Sequence, residues 1–340
     1  MPWRRLNTGP KHRYRAVLFG FGCALFVYLL IRLGAAQITS LLLGIGWYLG
    51  LIAAIYAGHQ LIRAFAYWKC VAASGRSSYW EIVRIRLSGE AIQFLTSTGP
   101  FLSEPSKVWL LQRQGLGTKH AVAATASEYL IYTLMSAAFA VAGLTYLLIN
   151  FELSRPASVA AKALICTMGA FLLVALGAIV FRIYLIGALI RGASRLPWMG
   201  KHVRLKENDV RDTEDLLFVV LRDRPLRSLL IVAIEFAAQA LLVLELFVLL
   251  KTTGKPFSIL HPFLIEAATK FIGLAFFFIP GQVGAAEGAY SFIFKTVGLP
   301  ASAGFALAVA RRLRSLLVAG VGVALAPLWR GTPAGGQELE

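Results

Sequence analysis

Eleven ionisable side chains sit inside otherwise apolar stretches of this sequence: Glu90, Glu104, Glu128, Glu235, Glu245, Glu266, Lys270, Glu287, Arg311, Arg312 and Arg314. Lys107 follows three residues after Glu104. At the centre of a bilayer a charge costs roughly 2.5 to 3.5 kcal/mol on insertion scales, so these groups must meet one another or line water. Three kinds of chemistry are open to them: acid–base catalysis, an ion-pair lattice between helices, or a polar path for a charged solute. Catalysis lacks its usual companions. The five histidines, His12, His59, His120, His202 and His261, form no HExxH-like cluster. Cys23, Cys70 and Cys166 share no metal spacing, so neither a zinc site nor a disulfide is expected. With no nucleophile or nucleotide motif either, the chain reads as a non-enzyme without a cofactor or metal.

Glu287 shows the problem most sharply. In "FFFIPGQVGAAEGAY", Pro280, Gly281 and Gly284 interrupt an apolar run, and the carboxylate stands just before the next run begins. Non-helical backbone at membrane depth is tolerated where protein or a water-filled cavity satisfies its amides and carbonyls. A Pro-Gly turn between two half-helices therefore marks a cavity, and the amide-rich start of the second half-helix favours a carboxylate in its first turn. Glu287 can cap that half-helix, meet an arginine, or do both. In the last apolar stretch Arg311 and Arg314 share a face, while Arg312 points about 100° away. Arg311 lies too deep to snorkel easily, and a place beside Glu287, Glu104 or Glu128 is expected for it.

Composition defines the elements that must hold these residues. The 340 residues are 58% hydrophobic and 15% charged, with a mean hydropathy of +0.69, which is too apolar for an ordinary soluble domain. A span needs roughly 20 mostly apolar residues. Six stretches supply one: 16–33, 41–61, 121–149, 159–181, 228–250 and 301–325. Two more apolar pairs are broken, 79–111 by Gly99 and Pro100 in "STGP" and 260–294 by "IPGQVG". The first stretch lacks a small-x-small cleavage site and reads as an uncleaved helix. The expectation is an all-α integral membrane protein, a single membrane domain over residues 1–340 with six full spans and two re-entrant hairpins.

Lysine and arginine collect on the cytoplasmic side of membrane proteins. Arg4, Arg5, Lys11, Arg13 and Arg15 precede the first span, and Arg63, Lys69, Arg76, Arg84 and Arg86 follow the second. Ten basic residues fall within 182–227, and Lys107, Arg113 and Lys119 join the same side. Both termini and the 182–227 connector are then cytoplasmic, and the first hairpin enters from the cytoplasm while the second enters from outside. The order of span, span, broken hairpin, span over 16–149 recurs over 159–325 with opposite orientation, the plan of an inverted-topology repeat. At an offset of 183, Glu104 falls on Glu287 and Glu128 on Arg311; at 180, Glu90 falls on Lys270 and Pro100 on Pro280. The connector carries an apolar stripe of Val210, Leu216, Leu217, Val220 and Leu221, which predicts an amphipathic helix along the membrane.

The two motifs, "GPFLSEPSKVWLLQRQG" and "PGQVGAAEG" followed by Gly-Leu-Pro and an arginine helix, resemble the lysylphosphatidylglycerol synthase transmembrane region. This flippase-like family includes the membrane half of the bacterial multiple peptide resistance factor, and the resemblance covers nearly the whole chain. Pro280, Gly281, Gly284, Glu287, Gly298, Pro300 and Arg312 fit the family's second motif, with Arg311 an adjacent alternative. The first motif departs from it, since Phe101, Leu102 and Ser103 stand where turn glycines are usual.

The resemblance implies movement of a phospholipid or other envelope lipid between leaflets of the bacterial plasma (inner) membrane. Its partner is a membrane lipid, anionic or hopanoid, and the +17 formal charge suits anionic lipid at the interface. No nucleic acid is expected. Nothing of synthase size follows Leu325, so aminoacyl transfer is not expected. A non-transporting partner of a lipid-synthesis or envelope complex and a membrane-embedded lipid-modifying enzyme are the alternatives. The expected substrate path or intramembrane charge network is Glu90, Glu104, Lys107, Glu128, Lys270, Glu287, Arg311 and Arg312.

Overall fold

The computed structural model describes residues 43–44, 46–72, 77–96, 100–185, 187–188, 207–254, 256–275 and 282–325. The expected first span, both termini, and the turn residues Gly99, Pro280 and Gly281 lie outside the described residues. Within them run α1 (Tyr48–Val71), α2 (Tyr79–Thr96), α3 (Pro100–Arg113), α4 (Thr118–Asn150), α5 (Arg155–Phe181), α6 (Glu207–Leu221), α7 (Pro225–Thr252), α8 (Leu260–Ala275), α9 (Ala285–Thr296) and α10 (Ala301–Leu325). No strand occurs among the described residues, and the protein is an all-α membrane protein.

Among the described residues four helices, α1, α4, α5 and α7, are long and apolar enough to cross a membrane. Helix α10 is 25 residues long, but Arg311, Arg312 and Arg314 interrupt its apolar character. Proline opens α3 and stands in the first turn of α5 and α7, where its missing N–H forfeits no intrahelical bond. Gly284 precedes α9 at φ 77°, a left-handed conformation that glycine adopts without a Cβ penalty.

The expected boundaries of the second span, 41–61, need correction. Helix α1 runs on to Val71 with Arg63 buried inside it, because that guanidinium is neutralised by carboxylates of other helices. Arg86 and Lys107, also counted above among basic residues facing the cytoplasm, are likewise buried in the bundle.

Helices α1 and α7 pack side by side along much of their length, α2 lies on α10, and α8 lies on α4. The last two crossings are close for the same reason. A Cβ at Gly322 of α10 would collide with the Leu87 carbonyl oxygen of α2, and one at Gly143 of α4 would collide with Ala267 of α8. Each hairpin straddles both long helices: α3 rests on α4 where α2 rests on α10, and α9 rests on α10 where α8 rests on α4.

Two apolar cores occupy the ends of the bundle. One gathers Ile52, Leu147, Leu246, Leu250, Leu264, Phe294 and Leu307. The other gathers Tyr67, Ile82, Ile85, Leu111, Ala124, Ile131 and Ile231. Read along α1, Ile52 belongs to the first core and Ala66 to the second, with Tyr56, His59, Gln60 and Arg63 between them. Along α7 the order reverses, from Ile231 through Glu235, Gln239 and Glu245 to Leu246. The fold is thus a charged layer held between two oily ones.

The expected connector helix is α6. Its buried Leu217, Phe218 and Val220 lie on the side that packs against α4 and α7, so this stripe meets the bundle rather than lipid alone. Acidic residues in it and just after it are tied to neighbouring segments: Lys119 donates to Asp212 at 2.7 Å, Arg182 pairs with Asp223 beyond its end, and Tyr184 donates to Asp215 at 2.6 Å. The hydrogen bond to Asp215 holds the Tyr184 phenol above its ordinary pKa.

Candidate functional site: two charge cages and a cavity

The first cage centres on Glu128 of α4, which has no solvent-exposed surface. Arg63 of α1 reaches its Oε1 at 2.7 Å and Arg86 of α2 reaches the same oxygen at 2.9 Å. Lys107 of α3 lies 3.5 Å from Oε2 and 2.7 Å from Glu104. Arg63 also approaches Glu235 of α7 at 3.4 Å. Gln60 accepts from Arg86 Nε at 3.1 Å and donates to the Tyr56 hydroxyl at 2.9 Å. The Arg63 guanidinium lies 3.7 Å from the centroid of the Tyr132 ring, a cation–π contact that offsets part of the cost of its desolvation. Lys107 gets in because α2 offers Gly89 at the crossing: a Cβ there would stand 2.9 Å from Lys107 Cγ.

The second cage centres on Arg311 of α10. It donates to the Tyr290 hydroxyl at 2.7 Å and to Glu266 of α8 at 2.8 Å, and lies 3.5 Å from Glu245 of α7. Glu245 also pairs with Arg314, whose guanidinium sits 3.5 Å from the Tyr56 ring centroid. Lys270 stands 2.8 Å from Glu266. The partners expected for Arg311 are corrected here. Its face of α10, shared with Arg314, looks toward α7 and α8, and none of Glu287, Glu104 or Glu128 is its ion-pair partner.

Glu287 belongs instead to Arg312, at 2.8 Å and off the direction of a hydrogen bond. Its other oxygen accepts the Gly284 backbone N–H at 2.8 Å. The carboxylate therefore does both things open to it, tying the start of α9 and compensating an arginine of α10.

Four charged positions of the two networks correspond with their signs reversed, whereas Glu104 stands to Glu287 with the same sign. Arg63 stands to Glu245, Arg86 to Glu266, Glu90 to Lys270 and Glu128 to Arg311 at separations of 180 to 183 residues, and Lys107 stands to Tyr290 in the same range. In one cage a carboxylate is ringed by cations from three helices; in the other an arginine is ringed by two carboxylates and a phenol from three helices.

A cavity of about 840 Å³ borders the first cage and reaches Lys270 of the second. Its lining includes the charged Arg63, Arg86, Glu90, Glu104, Lys107 and Lys270 and the apolar Leu144, Leu164, Met168 and Phe171 of α4 and α5. Glu90 receives a hydrogen bond from Tyr56 at 3.3 Å. The structure thus gathers Glu104, Lys107 and Glu128 in one cage, Lys270 and Arg311 in the other, Glu287 with Arg312 beside α9, and Glu90 in the cavity lining. Arg63, Arg86, Tyr56 and Tyr290 were not among the expected site residues. A signal for two of them lay in α1, where Tyr56, Gln60, Arg63 and Tyr67 recur at helical spacing along one face.

Together these features define a multi-pass helical membrane protein with a charged, cavity-bearing interior. A family model described as the lysylphosphatidylglycerol synthase TM region matches residues 16–322, so the chain belongs to that family. No curated protein and no solved structure matches it.

Proposed function

We propose that this protein is a lipid transporter of flippase-like type, moving a phospholipid or other envelope lipid between leaflets of a bacterial inner membrane with both termini in the cytoplasm. The observation that carries the reading is the cavity, whose lining combines charged side chains with apolar residues of α4 and α5. An amphiphile presents the same two kinds of surface: a polar headgroup fits the charged residues while its tails lie along α4 and α5. Transport on this plan needs no covalent chemistry, and the protein acts as a non-enzyme.

The same reading takes residues 16–149 and 159–325 as inverted repeats. Its support is the pairing of α2 with α10 and α4 with α8, each closed at a glycine, and the sign-reversed charges at four corresponding positions. Inverted repeats place substrate sites near the midplane where broken helices meet, and the lining of one cavity by Glu90 and Lys270, one from each expected repeat, is in keeping with that plan.

Reconstitution tests it. Vesicles carrying the purified chain should expose inner-leaflet fluorescent lipid to an impermeant reductant faster than empty vesicles, and Lys107→Ala vesicles at matched insertion should lose most of the gain. Equal bleaching with and without protein, for every lipid tried, would refute transport. The second reading, a non-transporting companion of a lipid synthase, draws on the family's description, and that result would favour it.

A further inference from the structure

We infer that the cavity receives a zwitterionic headgroup, with its cationic end on Glu90 and its anionic end on Lys270; the inference rests on the cavity being a lipid site, as proposed above. Seven acids and seven bases make up the described interior network: Glu90, Glu104, Glu128, Glu235, Glu245, Glu266 and Glu287 against Arg63, Arg86, Lys107, Lys270, Arg311, Arg312 and Arg314. Six of the acids have a basic group within 4.0 Å. Among the described residues Glu90 has none, and its polar contact is the Tyr56 hydroxyl.

The balance is therefore even in sum and uneven in place. The half of the network around Glu128 holds three bases (Arg63, Arg86, Lys107) and, with Glu90, four acids. The half around Arg311 holds four bases (Lys270, Arg311, Arg312, Arg314) and three acids. Glu90, the acid without a basic group within 4.0 Å, and Lys270, which shares Glu266 with Arg311, both border the cavity.

A ligand bearing one charge of each sign meets both groups and leaves the sum at zero. An anionic headgroup without an amine leaves Glu90 uncompensated and adds a charge to a poorly solvated interior, the expensive outcome for buried ions. The lining suits the pair. Lys270 directs one of its three N–H donors to Glu266 and keeps others for an oxyanion, and Glu266 is also held by Arg311 at 2.8 Å, so it is not left bare if Lys270 shifts. The cavity lining also includes Gln93 and Tyr129, and the Tyr56 hydroxyl already meets Glu90, polar groups suited to an ammonium beside a carboxylate.

The experiment uses the full chain and two tail-labelled lipids with identical acyl chains, one with an ethanolamine phosphate headgroup and one with a glycerol phosphate headgroup. Binding is read from lipid-induced thermal stabilisation in detergent, and translocation from reductant protection in vesicles. The unmodified protein is expected to prefer the ethanolamine lipid. Glu90→Gln should erase the preference, weakening ethanolamine lipid binding about tenfold, the loss of one charge-assisted contact, while binding of the glycerol lipid holds or improves. If Glu90→Gln fails to fold, Glu90→Asp, which withdraws the carboxylate by one methylene, should give a smaller change in the same direction. Equal or reversed preference in the unmodified protein, binding of neither lipid, or an unchanged preference in the variant overturns the inference. Preferential binding without translocation supports it and counts against transport; translocation of both lipids at equal rates does the reverse.

Discussion

Replacing Glu128 by glutamine removes the charge at the centre of the first cage while keeping its shape. Three cations face that carboxylate, yet the expected loss is far less than three unpaired charges. Arg63 keeps Glu235 at 3.4 Å and Lys107 keeps Glu104 at 2.7 Å. Arg86 keeps the Gln60 side-chain oxygen, a neutral partner. One buried cation is left uncompensated, which costs about 3–5 kcal/mol. Removing Arg86 alone is milder, because Glu128 retains Arg63 at 2.7 Å and Lys107 at 3.5 Å. The Glu128→Gln/Arg86→Gln protein should therefore be more stable than Glu128→Gln. Thermal unfolding of the four proteins in one detergent gives the order: unmodified highest, Arg86→Gln next, the double variant above Glu128→Gln. A double variant that melts below Glu128→Gln, by the sum of the single losses, would refute the view that Arg86 is the cation left stranded.

Glu287→Gln keeps an oxygen for the Gly284 N–H, and Arg312 is partly exposed, so melting should change little while lipid translocation falls; a variant both stable and fully active would remove this carboxylate from the mechanism. Gly322→Ala forces a methyl against the Leu87 backbone oxygen and should cost about 1–3 kcal/mol, whereas Gly320→Ala, with open space around it, should be neutral by the same melting assay. Gly89→Ala should act through the Lys107 stem it touches, so its effect on melting should shrink in a Lys107→Ala background. Cysteines at the exposed positions Gly117 and Pro256 should label from opposite sides of the membrane if the expected orientation holds; labelling of both from one side would contradict it.

The sequence made the helices and the breaks easy to read because both depend on local chemistry. The expected spans 121–149, 159–181 and 228–250 lie inside α4, α5 and α7, and 301–325 coincides with α10. Gly284 stands where the chain turns left-handed, as a glycine so placed suggests. Arg63 was harder, because an arginine at the end of an apolar run normally marks a loop and only the carboxylates of α4 and α7 tell otherwise. The acids Glu235, Glu245 and Glu266 were visible as misplaced charges, but their partners are separated from them by up to 172 residues. Helical spacing says which face a residue occupies and nothing about which distant helix faces it. That is why Arg311 was expected beside the wrong carboxylates, while Glu287 and Arg312 could be singled out but not paired by spacing.

The layout of the first cage bears on the order of synthesis. Arg63 and Arg86 leave the ribosome before Glu128, by 65 and 42 residues, and Arg63 precedes Glu235 by 172. At about 5–20 residues per second, Arg63 waits roughly 3–13 s for its first carboxylate and more than twice that for its second. Helix α10 has no such wait: Glu245, Glu266 and Glu287 have all been made before Arg311, Arg312 and Arg314 emerge. Nascent α1 and α2 must hold unpartnered arginines, with water, lipid phosphates or the insertion machinery as temporary company, whereas the arginine-rich closing helix enters a site already furnished with its acids.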